Sequence, residues 1–288
     1  MNRTVGGFIL RRWLRIAPVY YLGIIIYSVL PWLFSGGKAP HLGILVANLT
    51  FINGWWPGQS SSMVPGGWSI SAEIAFYCLL PWAAIAVTSF RRAIVGYCVV
   101  LLASQLVGYW LAAQMIAKGF QEPAMTDFME YCPIWHLPTF SLGLVLYFVR
   151  PLVRPKLGWL LIFMGAVLFL CVPYTIGRYH SPRSIAVGIP LFVLSLGVTT
   201  IVDSSMFFKF SSLRWLGTVS YGVYLMHFWV LDIVVTIVVF AMTPLEFSGL
   251  YMFLTSLFGT VLLSSAIAAL NRRYIEMPAL SLADNLFS

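Results

Sequence analysis

YLGIIIYSVLPWLF, residues 21–34, carries no charge and none of the every-second-residue alternation of a membrane strand. With the residues before it, the run forms an apolar segment near 13–34, enough to cross a hydrocarbon core of roughly 30 Å as a helix of about 20 residues. The rest of the 288-residue chain agrees. It is 60% hydrophobic, 16% aromatic and only 9% charged, with a mean hydropathy of +0.89, whereas soluble domains carry about 25% charged residues. The expected fold class is therefore all-α, a polytopic transmembrane helix bundle. Further spans are predicted near 68–88, 93–116, 134–149, 158–175, 185–202, 217–240 and 249–270, making eight. A short stretch, LGILVANLTFINGWW at 42–56, is interrupted by Asn48, Thr50 and Asn53 and reads as a re-entrant or interfacial segment.

Charge sets the orientation. If 42–56 does not span, 13 of the 17 basic residues fall on one side, leaving Lys38, Lys118, Arg178 and Arg183 on the other. If it spans, every later loop inverts and that bias is lost. Basic loops face the cytoplasm, so the first arrangement is expected, with both termini cytoplasmic and Glu122, Asp127 and Glu130 outside. The net charge of +8 lies in these flanks, which makes the lipid bilayer the partner and excludes nucleic acid. Cys78, Cys98, Cys132 and Cys171 lack CxxC spacing and read as small buried hydrophobes. The apolar stretch after Arg15 is too long for a signal-peptide core and has no small-residue cleavage site. No repeat or linker divides residues 1–288, so a single domain is expected, and no metal site is expected.

Three constellations could carry chemistry. In RRWLR at 11–15, Arg11 and Arg15 stand four apart and Arg12 and Arg15 three apart, which clusters guanidinium groups on one helical face. Such forks suit phosphate oxygens; arginines also flank cytoplasmic helix ends simply to orient them. In WSISAEIAFY at 68–77, an acid sits inside a lipid-bound helix, at a cost of roughly 2.5–3.5 kcal/mol on insertion scales. Ser69, Glu73 and Tyr77 share a face, so Glu73 is expected to look into the bundle, either as a structural pair or as a working carboxylate. In SYGVYLMHFWVLDIV at 220–234, Ser220, Tyr224 and His227 share a face and could shuttle a proton, or His227 could be a satisfied packing residue. Asp232 lies about 140° round the helix from His227 and reads as a deeply set structural partner. His136 reads as interfacial, and His41 and His180 as loop residues.

Taken together these segments resemble one family. FILRRWLRIAPVYY is similar to its "RRxxRIxPxY" helix, WSISAEIAFYCLLP to "WSLSVEEQFYLLFP", and LPTFSLGLVL to "PxFxxG". SYGVYLMHFWV is similar to "SYxxYLxH", and NRRYIEMPAL to the closing "ExP". The chain thus resembles the acyltransferase 3 family of bacterial membrane O-acyltransferases over roughly residues 8–280. The resemblance implies transfer of an acyl group, usually acetyl from acetyl-coenzyme A, to a hydroxyl of a glycan, another cell-envelope molecule or a secondary metabolite. It also implies a bacterial inner-membrane location, and places Arg12 and Arg15 on the coenzyme A phosphates.

Two departures stand out. The family's opening helix, with an arginine, ten intervening residues and a histidine, and its second segment have no counterpart here, so the chain reads as the family domain shortened at its N-terminus. The family's Glu-Glu-Gln becomes Glu73, Ile74 and Ala75. With the opening histidine unmatched, His227 is expected as a supporting polar group at the catalytic centre, and Glu73 as the group that orients or polarises a partner. Two other readings remain open: a catalytically inactive subunit or degenerate paralogue, and a small-molecule transporter, which would also explain Glu73, His227 and Asp232 inside the membrane.

Overall fold

The computed structural model describes residues 5–34, 36, 39–171, 183–202 and 211–286. Readings that involve Arg3, Lys38, Arg178, His180 and Lys209, the side chain of Arg183, and the last turn of the span predicted near 158–175 lie outside the described residues. Every regular element among the described residues is helical. Six helical runs are long and apolar enough to cross a membrane: Val5–Phe34, Gly67–Ala86, Phe90–Ala117, Ala124–Leu152, Leu213–Leu245 and Gly249–Leu282. Two shorter apolar helices, Pro155–Cys171 and Ala186–Ile201, stand where the other two spans were expected. The chain is a multi-pass membrane protein. Prolines 18, 81, 138 and 190 sit inside helices, which membrane helices tolerate because neighbours re-satisfy the freed backbone groups.

The helices fall into two compact units. The first comprises Met1–Leu49, Met63–Gly66 and Phe210–Ser288. It contains α1 (Val5–Ile24), α2 (Leu30–Phe34), α3 (Leu42–Leu49), α10 (Ser211–Met242), α11 (Gly249–Asn271) and α12 (Met277–Leu286). Here α10 runs along α11, and α1 packs on α10 and α12. Tyr20 is fully buried and donates its hydroxyl to Asn48 Oδ1 at 2.9 Å, while Tyr221 donates to the Ile16 carbonyl at 2.8 Å. These bonds satisfy the polar ends of aromatic rings that otherwise pack as hydrocarbon. At eight residues, α3 is about 12 Å long, so the expectation of a short, non-spanning segment there holds.

Two π-turns interrupt this unit. Ile25–Val29 joins α1 to α2, and Arg272–Glu276 joins α11 to α12. Each ends two residues before a proline, Pro31 and Pro278. Proline supplies no N–H to the carbonyl four residues back and its ring crowds that carbonyl, so widening the turn relieves the clash without ending the helix. The last helix therefore runs on past the end predicted near residue 270.

The second unit comprises Thr50–Ser62 and Gly67–Lys209. It contains α4 (Gly67–Ala86), α5 (Phe90–Ala117), α6 (Ala124–Tyr131), α7 (Pro133–Val149), α8 (Gly158–Cys171) and α9 (Arg183–Ile201). Lipid is as apolar as leucine, so close backbone approach is what drives such packing. It is clearest between α8 and α9, where a Cβ on Gly165 would lie 2.5 Å from the Leu194 amide nitrogen, and one on Gly197 2.7 Å from that of Ile162. Phe76 of α4 stacks on Phe140 of α7 with centroids 4.9 Å apart. Helix α6 was not predicted. It is tied to the preceding loop by Asp127, which accepts from the Gly58 amide at 2.9 Å and from the Ser60 hydroxyl.

Two expectations are corrected. Of the four cysteines, only Cys132 is buried; Cys78, Cys98 and Cys171 are exposed on helix surfaces. Asp232 is likewise exposed, so it is not a deeply set partner. Both errors share a cause: in a membrane helix the lipid-facing and protein-facing sides are equally apolar, and residue type does not tell them apart.

Candidate functional site

A charged cavity lies in the first unit. It measures about 460 Å³ and is lined by Arg11, Arg12 and Arg15 of α1, by Arg272 and Glu276 of the second π-turn, and by Thr218 of α10 among others. The helical spacing read from RRWLR thus does bring its three guanidiniums to one mouth. Sequence reasoning did not foresee the fourth cation or the acid. Glu276 is buried, its side chain 6% exposed, and it pairs with Arg272 Nη1 at 3.3 Å and Arg15 Nε at 3.8 Å. Arg272 Nη1 also donates to the Thr218 carbonyl at 3.1 Å, and Arg12 lies over the Phe8 ring, 5.5 Å from its centroid. The available signal was the spacing in NRRYIEMP: a basic and an acidic residue four apart, the acid being the one in the "ExP" match.

Among the described residues that line it, four guanidiniums stand around one carboxylate, which holds Arg15 and Arg272 in place. The cavity falls within the size range of small-molecule sites. Guanidinium forks at this density bind phosphate groups bidentately better than any other side chain.

His227 lies in α10 of the same unit, half-buried between Tyr224 and Phe228. Its Nδ1 is 2.6 Å from the Tyr224 carbonyl oxygen. A carbonyl only accepts, so Nδ1 donates, and the neutral ring carries its lone pair on Nε2, ready to take a proton. Tyr224 in turn donates its hydroxyl to the Gly66 carbonyl at 3.1 Å. Gly66 has φ +75°, and a Cβ there would lie 2.5 Å from that hydroxyl oxygen, so both the backbone and the contact require glycine. Ser220 is exposed and donates within its own helix to the Gly217 carbonyl.

Glu73 belongs to the second unit. It is half-buried in α4, and Tyr77, one turn on, donates its hydroxyl to Glu73 Oε1 at 2.5 Å. The predicted stripe is therefore real for these two residues. Among the described residues of its unit, Glu73 has no ion-pair partner. Earlier in the same helix, Trp68 packs on Tyr131 and His136 with centroids 5.1 and 4.9 Å away. His136 Nε2 lies 3.1 Å from the Glu130 carbonyl oxygen, so this ring is both packed and hydrogen-bonded. His41 caps the start of α3, its Nδ1 accepting from the Gly43 amide at 3.2 Å.

A family model described as an acyltransferase domain, that of acyltransferase 3, matches residues 2–269. No curated protein and no solved structure matches the chain.

Proposed function

The chain belongs to the acyltransferase 3 family, and from that premise we propose that it moves an acetyl or other short acyl group from acyl-coenzyme A to a hydroxyl of a glycan or related cell-envelope acceptor. The observation that carries the reading is the arginine mouth. A membrane acyltransferase that draws on a cytosolic thioester must grip a polyanionic carrier, and four guanidiniums around one cavity suit its phosphates. In this reading Arg12 and Arg15 contact the phosphates directly, Arg11 and Arg272 add to the field, and Glu276 holds Arg15 and Arg272 in position. The mouth then opens to the cytoplasm, and both termini lie on that side of a bacterial inner membrane.

The chemistry requires a hydroxyl to attack the thioester carbonyl, forming a C–O bond as the C–S bond breaks. The hydroxyl proton must pass to a base and finally to the departing thiolate. His227 is the proposed acceptor of that proton, through the Nε2 left free by the bond at Nδ1, and Glu73 orients or polarises a reacting partner. The test is transfer of radiolabelled acetyl from acetyl-coenzyme A into membrane material by the full chain and by Arg15→Ala. Transfer that collapses at low donor concentration in the variant supports the assignment. Transfer indifferent to the change contradicts it.

A further inference from the structure

Helix α10, continuous over Ser211–Met242, is bridged at one turn by a side chain from outside it. Tyr27, inside the first π-turn, donates its hydroxyl to the Leu225 carbonyl at 3.0 Å and accepts from the Trp229 amide N–H at 2.9 Å. Residues 225 and 229 are four apart, the pair that a regular α-helix joins directly. The Tyr27 oxygen therefore bridges the two ends of one rung of the α10 ladder. Between the two bridged residues stands His227, which makes its own bond to the Tyr224 carbonyl in the same turn. The π-turn that carries Tyr27 is of a kind that collects at functional sites. Leu225, Met226 and Val230 around it are fully buried, so the hydroxyl is no incidental surface contact.

We propose that Tyr27 is a positioning residue for His227: its hydroxyl braces the 225–229 turn of α10, so that the imidazole keeps its Nδ1 proton on the Tyr224 carbonyl and presents Nε2 to the reacting hydroxyl. The inference rests on the reading of His227 given above. It goes further by assigning the tautomer, and hence the acceptor nitrogen, to a residue outside every segment that suggested the site. Tyr27 forms no bond with substrate and acts through the imidazole.

The test uses the full chain in membrane vesicles, with Tyr27→Phe, His227→Gln and the double variant. Tyr27→Phe keeps the ring and removes one oxygen. Acetyl transfer from acetyl-coenzyme A should lose about tenfold in kcat, the equivalent of one ordinary hydrogen bond, with KM for the donor unchanged. His227→Gln should abolish transfer, and adding Tyr27→Phe to it should change nothing more. Nitrogen NMR of isotopically labelled histidine, assigned by difference with His227→Gln, should show the Nδ1-protonated form in the native chain and a mixture in Tyr27→Phe. Coenzyme A binding, carried by the arginine mouth, should be equal in all four proteins. Full transfer by Tyr27→Phe, or an unchanged tautomer, overturns the role of Tyr27 while leaving that of His227 standing. Native transfer by His227→Gln overturns both. A Tyr27→Phe chain that loses coenzyme A binding as well makes the hydroxyl a general structural element and also overturns the inference.

Discussion

Two acids in two units are held in opposite ways. Glu276 is buried and bracketed by two guanidiniums, whereas Glu73 is half-buried and held by one tyrosine hydroxyl with no cation among the described residues of its unit. Glu276 closes a π-turn, whereas Glu73 stands within the α-helix Gly67–Ala86, one turn before Tyr77. The first acid is locked into an electrostatic fixture. The second keeps capacity for a further partner. On the proposed reading the first carboxylate is scaffold for a cationic mouth and the second a working group, and their partners differ accordingly.

Breaking the fixture should produce the largest effect. Arg272→Ala strips the buried Glu276 of its nearer cation, and removing one partner of a buried pair destabilises by about 3–5 kcal/mol. The value expected here is near the lower end, about 3 kcal/mol, because Arg15 remains. It is read as a fall in the detergent unfolding midpoint. Next comes donor binding: Arg15→Ala should raise KM for acetyl-coenzyme A by about tenfold or more, since a hydrogen bond to a charged group contributes roughly 1.5–3 kcal/mol, while kcat at saturating donor stays within about a factor of two. Glu276→Gln removes only the charge and leaves two part-exposed arginines, so its stability loss should be about 1 kcal/mol, smaller than that of Arg272→Ala. Reversal of that order in unfolding would undo the view of Glu276 as the held partner. At the small end, Tyr77→Phe should likewise cost about 1 kcal/mol in stability, the net worth of one hydrogen bond. Glu73→Gln should cost no more than that yet suppress acetyl transfer. Equal loss of stability from Glu73→Gln and Arg272→Ala would erase the contrast between the two acids.

Much of this was legible in the residues. Long uncharged runs such as 21–34 and 249–270 announce spans because length and hydropathy are all that a bilayer demands. The grouping of Arg11, Arg12 and Arg15 follows from helical spacing alone, as does that of Glu73 and Tyr77. What escaped was whatever depends on contacts distant in sequence. Arg272 and Glu276 join the mouth through the packing of α1 on α12 and the second π-turn, a geometry that no periodicity encodes. Tyr27 reaches α10 across nearly two hundred positions of chain. The exposure of Asp232, Cys78, Cys98 and Cys171 was misread because hydropathy reports that a helix enters lipid and is silent about which face meets it.

The central claim is that the arginine mouth recognises the phosphates of the acyl carrier. Calorimetry of the full chain in detergent against coenzyme A and against pantetheine, which lacks the nucleotide phosphates, tests it directly, with Arg12→Ala and Arg15→Ala beside the native protein. The account predicts that the native chain binds coenzyme A far more tightly than pantetheine, and that each variant loses about tenfold or more for coenzyme A alone. Equal affinity for the two ligands, or variants that bind coenzyme A as the native chain does, would contradict it.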